Sequence, residues 1–171
     1  NAVILSHTYQ PAEIQDLADY VGDSYGLSKQ ATLIDADMIV FCGVQFMAET
    51  AAILNLERTV VMPDKTAGCP MADMITADQL RELKAEHPEA AVVCYVNSTA
   101  EVKAESTICC TSSNAIRIVE SLPADQPVIF VPDRYPGRFV ERHTGRDNMI
   151  IWDGFCPTHA RLDPETIRNA R

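Results

Sequence analysis

The chain has 171 residues, of which 47% are apolar and 22% charged; that composition is globular and large enough for one ordinary domain or two small ones. A formal charge of −10 repels phosphate backbones and anionic lipid, so nucleic acids and membrane surfaces are poor partners. Apolar runs such as residues 38–44 fall far short of the roughly 20 residues that span a bilayer. No secretory leader pattern precedes the first apolar run, and a cytoplasmic location is the expectation.

Along the chain, β-branched runs at 2–6, 38–42, 59–62, 91–96, 107–110, 128–131 and 149–152 alternate with helical patterns. This alternation predicts βαβ units, hence parallel sheets covered by helices: an α/β fold. Two internal matches suggest duplication. The segment from His7 resembles that from Tyr95, a shift of 88 residues, while Ile39 and Val61 align with Ile108 and Phe130, a shift of 69. The unequal shifts predict an insertion in the first copy, at about residues 20–37. The expected organisation is two similar α/β domains, 1–86 and 87–160, each a three-layer helix–sheet–helix unit with a short parallel sheet. Asp163, Pro164 and Glu165 read as N-cap, N1 and N2 of a further helix, so 161–171 is expected to open another domain and the chain to be a fragment.

In parallel α/β sheets, ligands gather at the carboxyl ends of the strands. Those ends are polar here: His7, Tyr9 and Gln10; Asp23 and Ser24; Tyr95, Asn97 and Ser98; and Thr111 to Asn114. Hydroxyls and amides there suit a carboxylate or phosphate. Each also has a structural reading, Ser112 to Asn114 as helix caps and Tyr95 as core packing. No Gly-x-Gly-x-x-Gly, P-loop or Gly-x-Ser-x-Gly elbow is present, which disfavours dinucleotide, nucleotide and serine-hydrolase chemistry.

Six cysteines are spread through the chain without a Cys-x-x-Cys pair, the spacing of zinc ribbons and bacterial ferredoxins. Cys94, Cys109 and Cys110 sit in strand-like runs and read as small structural hydrophobes. Cys69 and Cys156 differ, each standing in a predicted loop and followed by proline, in Ala67-Gly68-Cys69-Pro70 and Gly154-Phe155-Cys156-Pro157. Two thiols so far apart in sequence, with His159 three residues after the second, are candidates for a metal site.

Several strings taken together, in order, resemble the motifs of the quinolinate synthase family. They are His7-Thr8-Tyr9-Gln10, Gly22-Asp23-Ser24-Tyr25-Gly26, Phe41-Cys42-Gly43-Val44-Gln45, Pro63-Asp64-Lys65-Thr66-Ala67-Gly68-Cys69-Pro70, Tyr95-Val96-Asn97-Ser98, Cys109-Cys110-Thr111-Ser112-Ser113-Asn114 and Trp152-Asp153-Gly154-Phe155-Cys156-Pro157-Thr158-His159. The resemblance implies three similar α/β domains about a pseudo-threefold axis, the two here being the first two. It implies condensation of iminoaspartate with dihydroxyacetone phosphate to quinolinate, in de novo NAD biosynthesis. It also implies a 4Fe-4S cluster on three cysteines, one per domain: Cys69 and Cys156 match two, and the third belongs to the final domain. By the same resemblance His7, Ser24, Tyr95, Asn97 and Ser112 bind iminoaspartate, His159 lies beside the cluster, and Tyr9 with His7 serves in proton transfer or orientation. An aspartate oxidase or dehydrogenase is the implied source of iminoaspartate. Thr8 departs from the family, where an aromatic residue or Asn is common. The readings that compete are a two-domain binding module for a small dicarboxylate or phosphate, and a zinc hydrolase using Cys69, Cys156 and His159.

Overall fold

The computed structural model describes residues 1–170, which form two compact units that divide between Cys69 and Pro70. The first contains β1 (Ala2–His7), α1 (Ala12–Gln15), β2 (Tyr20–Gly22), α2 (Ser24–Leu33), β3 (Met38–Cys42), α3 (Gln45–Leu54) and β4 (Thr59–Val61). Its four strands are all parallel, in the order β2-β1-β3-β4. After a 3-10 turn at Ala72–Met74, the second unit runs through α4 (Ala77–Glu86), β5 (Ala91–Tyr95), α5 (Ala100–Ala104), β6 (Ile108–Cys110), α6 (Ala115–Glu120), β7 (Val128–Val131), α7 (Arg134–Thr144) and β8 (Met149–Ile151). Its sheet is again wholly parallel, ordered β6-β5-β7-β8. A 3-10 turn at His159–Arg161 and α8 (Pro164–Asn169) follow, the latter capped by Asp163 as expected, with Pro164 in its first turn.

Burial on both faces explains why the central strands read as continuous apolar runs. In β5 and β7, side chains alternate between two cores. Val92, Cys94, Ile129 and Val131 join Ile75, Leu80 and Val102 on the face covered by α4 and α5. Val93, Val128 and Phe130 join Cys110, Ala115, Val119 and Val140 on the face covered by α6 and α7. In the first unit Leu5, Leu27, Ala31, Ile39, Phe41 and Ala51 are completely buried, and α2 packs on α3. The outer strands β2, β4, β6 and β8 are each only three residues long.

Two expectations are corrected. The units do not divide near residue 86, because Ile75 and Leu80 place the Ala72–Met74 turn and α4 in the core of the second sheet. Nor is there an insertion at 20–37: that stretch holds β2 and α2, the counterparts of β6 and α6. The shift of 69 had aligned β3 with β6 and β4 with β7. Strand order shows otherwise, since β3 lies beside β1 on the side away from β2, as β7 lies beside β5 away from β6. One shift near 88 relates the units throughout, carrying His7 to Tyr95, Ala12 to Ala100, Gly22 to Cys110, Ser24 to Ser112, Gln45 to Arg134 and Cys69 to Cys156.

Candidate functional site

The corrected register puts the expected binding residues on equivalent positions. His7 ends β1 and pairs with Gly22 of β2, and Ser24 opens α2 two residues later. Tyr95 ends β5 and pairs with Cys110 of β6, with Ser112 two residues beyond it. One inner strand of each sheet thus ends in a ring side chain at the carboxyl edge, and a serine follows two residues after its register partner on the neighbouring strand.

His7 is 6% exposed. Its Nδ1 accepts the backbone N–H of Tyr9 at 3.2 Å, so the neutral ring carries its proton on Nε2 and offers a donor there. Burial holds its pKa below the ordinary histidine value, opposed in part by the Asp23 carboxylate. The imidazole is therefore neutral at pH 7, and supplies a hydrogen bond rather than a positive charge. Tyr9, 84% exposed, sets its ring edge-on to His7 with centroids 4.6 Å apart. Asp23 caps α2 by accepting from Gly26 N–H at 2.7 Å, which leaves the half-buried Ser24 hydroxyl outside the capping role.

In the second unit Tyr95 and Asn97 are half-buried. The buried Ser98 hydroxyl donates to the Tyr95 carbonyl at 2.9 Å and pins the turn. The Thr111–Asn114 turn is closed by Asn114 Oδ1, which accepts from Thr111 N–H at 2.7 Å. Asn114, not Ser112, stands at the N-cap position of α6, and its side chain makes no capping bond. Ser112 is exposed. The cap reading thus fails for Ser112.

Cys69 and Cys156 are half-buried free thiols in the loops after β4 and β8. The two loops are moored alike. The carbonyl of Ala67, two residues before Cys69, accepts from the N–H of Gln45 at 2.8 Å, and that of Gly154, two residues before Cys156, accepts from Arg134 N–H at 2.8 Å. Gln45 and Arg134 are the first residues of α3 and α7, so each helix N-terminus gives one of its unpaired donors to the cysteine loop.

Side chains complete each mooring. Asp64 Oδ1 accepts from the N–H and hydroxyl of Thr66 at 2.8 and 2.7 Å, which holds the Asp64 carboxyl below its ordinary pKa. In the second unit, Trp152 Nε1–H donates to the Met74 carbonyl at 3.0 Å, the Phe155 N–H meets Met74 Sδ at 3.2 Å, and the Arg134 guanidinium stacks 4.8 Å from the Phe155 ring centroid. His159, at the start of the following 3-10 turn, is exposed. Among the described residues no group of three or more His, Cys, Asp or Glu side chains gathers in one place.

The strand-end residues and both cysteines lie at the strand ends and in the loops where the sequence put them, whereas Gln45, Met74, Gly154 and Arg134, which hold the cysteine loops, were not legible there. A glycine two residues before Cys156 was a usable signal: a Cβ there would lie 2.1 Å from the Pro132 carbonyl oxygen, so only glycine fits.

Fold and site together define a duplicated parallel α/β protein that presents polar side chains and one loop thiol at the carboxyl edge of each sheet. The sequence profile of the quinolinate synthetase A protein (NadA) family matches residues 1–171, and the chain belongs to that family. It is 62% identical over 170 residues to a quinolinate synthase of Dehalococcoides mccartyi (strain ATCC BAA-2266 / KCTC 15142 / 195), covering 99% of this chain and 56% of the relative. Identity is 55% over 170 residues to the quinolinate synthase of Desulforudis audaxviator (strain MP104C), with the same coverage. It is 58% over 166 residues to that of Mycobacterium sp. (strain KMS), covering 97% of this chain and 49% of the relative. The chain spans about half the length of these curated relatives. No helix among the described residues is long and apolar enough to cross a membrane.

Proposed function

We propose that this chain carries two of the α/β units of a quinolinate synthase, acting on iminoaspartate and dihydroxyacetone phosphate to form quinolinate for NAD biosynthesis. The observation that carries this reading is the matched mooring of Cys69 and Cys156, each held two residues after a carbonyl bound by a helix N-terminus. Free, half-buried thiols in loops have the chemistry of cluster ligands, and they supply two of the three thiolates that the family resemblance implies for a 4Fe-4S cluster. A cluster held by three thiolates leaves one iron open as a Lewis acid for a substrate oxygen or nitrogen.

The other residues supply donors and proton carriers. His7 Nε2–H and the hydroxyls of Ser24, Tyr95 and Ser112, with the amide of Asn97, bind the carboxylates of iminoaspartate by hydrogen bonds from neutral groups. His159 contacts substrate from the Cys156 loop. Tyr9 and His7 orient the substrate and move protons, since condensation followed by dehydration and tautomerisation needs acid–base groups rather than a nucleophile. An aspartate oxidase or dehydrogenase supplies the iminoaspartate.

The test is iron, zinc and acid-labile sulfide per chain after anaerobic purification, for the parent, Cys69→Ser and Cys156→Ser. Iron with matching sulfide, diminished in both variants, is expected. Zinc without sulfide would favour the hydrolase reading instead. Metal content unchanged by either substitution, or no iron even in a polypeptide extended to the relatives' full length, would overturn the proposal.

A further inference from the structure

Cys94, Cys109 and Cys110 lie away from both cysteine loops, and the structure gives them three different environments. Cys94 and Cys109 are register partners on the adjacent parallel strands β5 and β6. Strand neighbours stand about 4.8 Å apart, inside the roughly 4.4–6.8 Å Cα separation that a disulfide spans. Both side chains project to the α4/α5 face. Cys94 is completely buried there among Leu80, Val102 and Val131, whereas Cys109 is exposed on the three-residue edge strand. This corrects the expectation that all three thiols are buried hydrophobes: Cys109 occupies an edge, which a run of apolar residues does not reveal.

The Cys94 thiol donates to the Tyr95 carbonyl at 3.4 Å, and its polarity across the strand register, with the Lys103 ammonium nearby, lowers the Cys109 pKa to about 7 against a desolvation penalty. Cys94 is pushed upward by its Cys109 neighbour and by burial, and so keeps its proton. Cys110, facing the opposite core, is pushed up to about 12 by burial and by its charged neighbour Cys109. An accessible thiolate on the strand position directly across from a protonated, buried second thiol is the arrangement by which reactive cysteines are oxidised and then resolved.

We propose that Cys109 and Cys94 form a dithiol site for hydroperoxides, with Cys109 the attacking sulfur and Cys94 the resolving one. The Cys109 thiolate attacks the terminal peroxide oxygen, the O–O bond breaks, and the released hydroxide (from hydrogen peroxide) or alkoxide (from an organic hydroperoxide) leaves as water or alcohol once protonated, giving a sulfenic acid. The Cys94 sulfur then displaces the sulfenic hydroxyl, its own proton departing with that hydroxyl as water, and the Cys94–Cys109 disulfide forms. The peroxide is reduced by two electrons and the two thiols are oxidised by two. Exchange with two equivalents of a small thiol restores the pair.

The test uses the purified chain and hydrogen peroxide, followed by intact-mass analysis and tryptic mapping under non-reducing conditions. The expected product is lighter by about 2 Da and joins peptide 85–103, which holds Cys94, to peptide 104–117, which holds Cys109 and Cys110. Cys110→Ser keeps the cross-link and Cys109→Ser abolishes it. In Cys94→Ser the sulfenic acid persists and is captured by a dimedone-type reagent at Cys109. A measurement on the unmutated chain stands beside these: alkylation of Cys109 by iodoacetamide should reach half its maximal rate near pH 7. At that pH it should be about threefold faster than for an ordinary thiol, after its lower intrinsic nucleophilicity is allowed for. A cross-link that survives in Cys109→Ser, peroxide products confined to Cys42, Cys69 or Cys156, or a half-maximal alkylation pH above about 8.5 would overturn the proposal.

Discussion

Replacing Gly154 with alanine would set a methyl carbon 2.1 Å from the carbonyl oxygen of Pro132 and 3.1 Å from Cβ of Met74. Contacts of a Cβ below 3.0 Å are essentially never seen, so the chain must move by about 0.9 Å, and both obstacles are stiff, one of them backbone. The movement pulls the Gly154 carbonyl from the Arg134 N–H it meets at 2.8 Å. Losing that bond costs about 1 kcal/mol, and the overpacking about 1–3 kcal/mol more, so Gly154→Ala should destabilise the second unit by about 2–4 kcal/mol. The single tryptophan, Trp152, lies two residues away and is hydrogen-bonded to Met74. Its fluorescence during urea unfolding therefore reports this unit, and the variant should show a lowered midpoint with an unchanged slope. A loss below about 1 kcal/mol would mean that the loop yields freely, and that the close approach to Pro132 does not fix Cys156.

Other perturbations follow from single groups. Arg146 donates to the carbonyls of Val119, Leu122, Pro123 and Gln126 around the end of α6, and Arg146→Met, which keeps the apolar stem, should cost about 2–3 kcal/mol in the same Trp152 assay. Thr76→Ala breaks the reciprocal cap with Gln79 at the start of α4, for a loss of about 1 kcal/mol measured the same way. Asp23→Asn preserves a good N-cap but removes the charge that raises the His7 pKa; stability should change by only a few tenths of a kcal/mol, while NMR titration should show His7 binding its proton at lower pH than in the parent. Because His7 has a folded pKa below its unfolded value of 6.5, the unfolded chain takes up the proton first. Stability is therefore fullest above pH 6.5 and declines as pH falls toward the folded pKa, with a slope of at most about 1.4 kcal/mol per pH unit from this group. In His7→Asn, unfolding midpoints between pH 7.5 and 5.5 should lose that part of the slope.

Central strands were legible in the sequence because burial on both faces writes a continuous apolar run, as in Val128 to Val131. Edge strands were not all so plain. Tyr20-Val21-Gly22 is short, half-exposed and ends in glycine, so it merged into the Gly-Asp-Ser signal that opens α2. The mistaken shift of 69 had a similar origin: β4 and β7 are both followed by Pro-Asp, yet one is an edge strand and the other central, and only hydrogen-bonded register tells them apart. At the candidate site, the rule that ligands collect at carboxyl ends of strands picked out the polar segments that hold His7, Ser24, Tyr95 and Ser112, and only the family resemblance singled those four out from their neighbours. The neutral state of His7 and the mooring of the Cys69 and Cys156 loops were hidden, because the first rests on burial and the second on backbone donors, and neither carries a letter in the sequence.

The three-residue outer strands have a further consequence. An exposed strand edge is a template on which another chain can add itself, and its hazard grows with the number of free N–H and C=O groups it lines up. Here β2, β4, β6 and β8 each end after three residues, too few for an added strand to recover the entropy of being ordered. The apolar β1, β3, β5 and β7, which would be the adhesive ones, are all enclosed. The brevity of the rims thus protects each sheet from templated growth, and lengthening β4 or β8 by a few β-branched residues should turn a well-behaved chain into one that forms fibres.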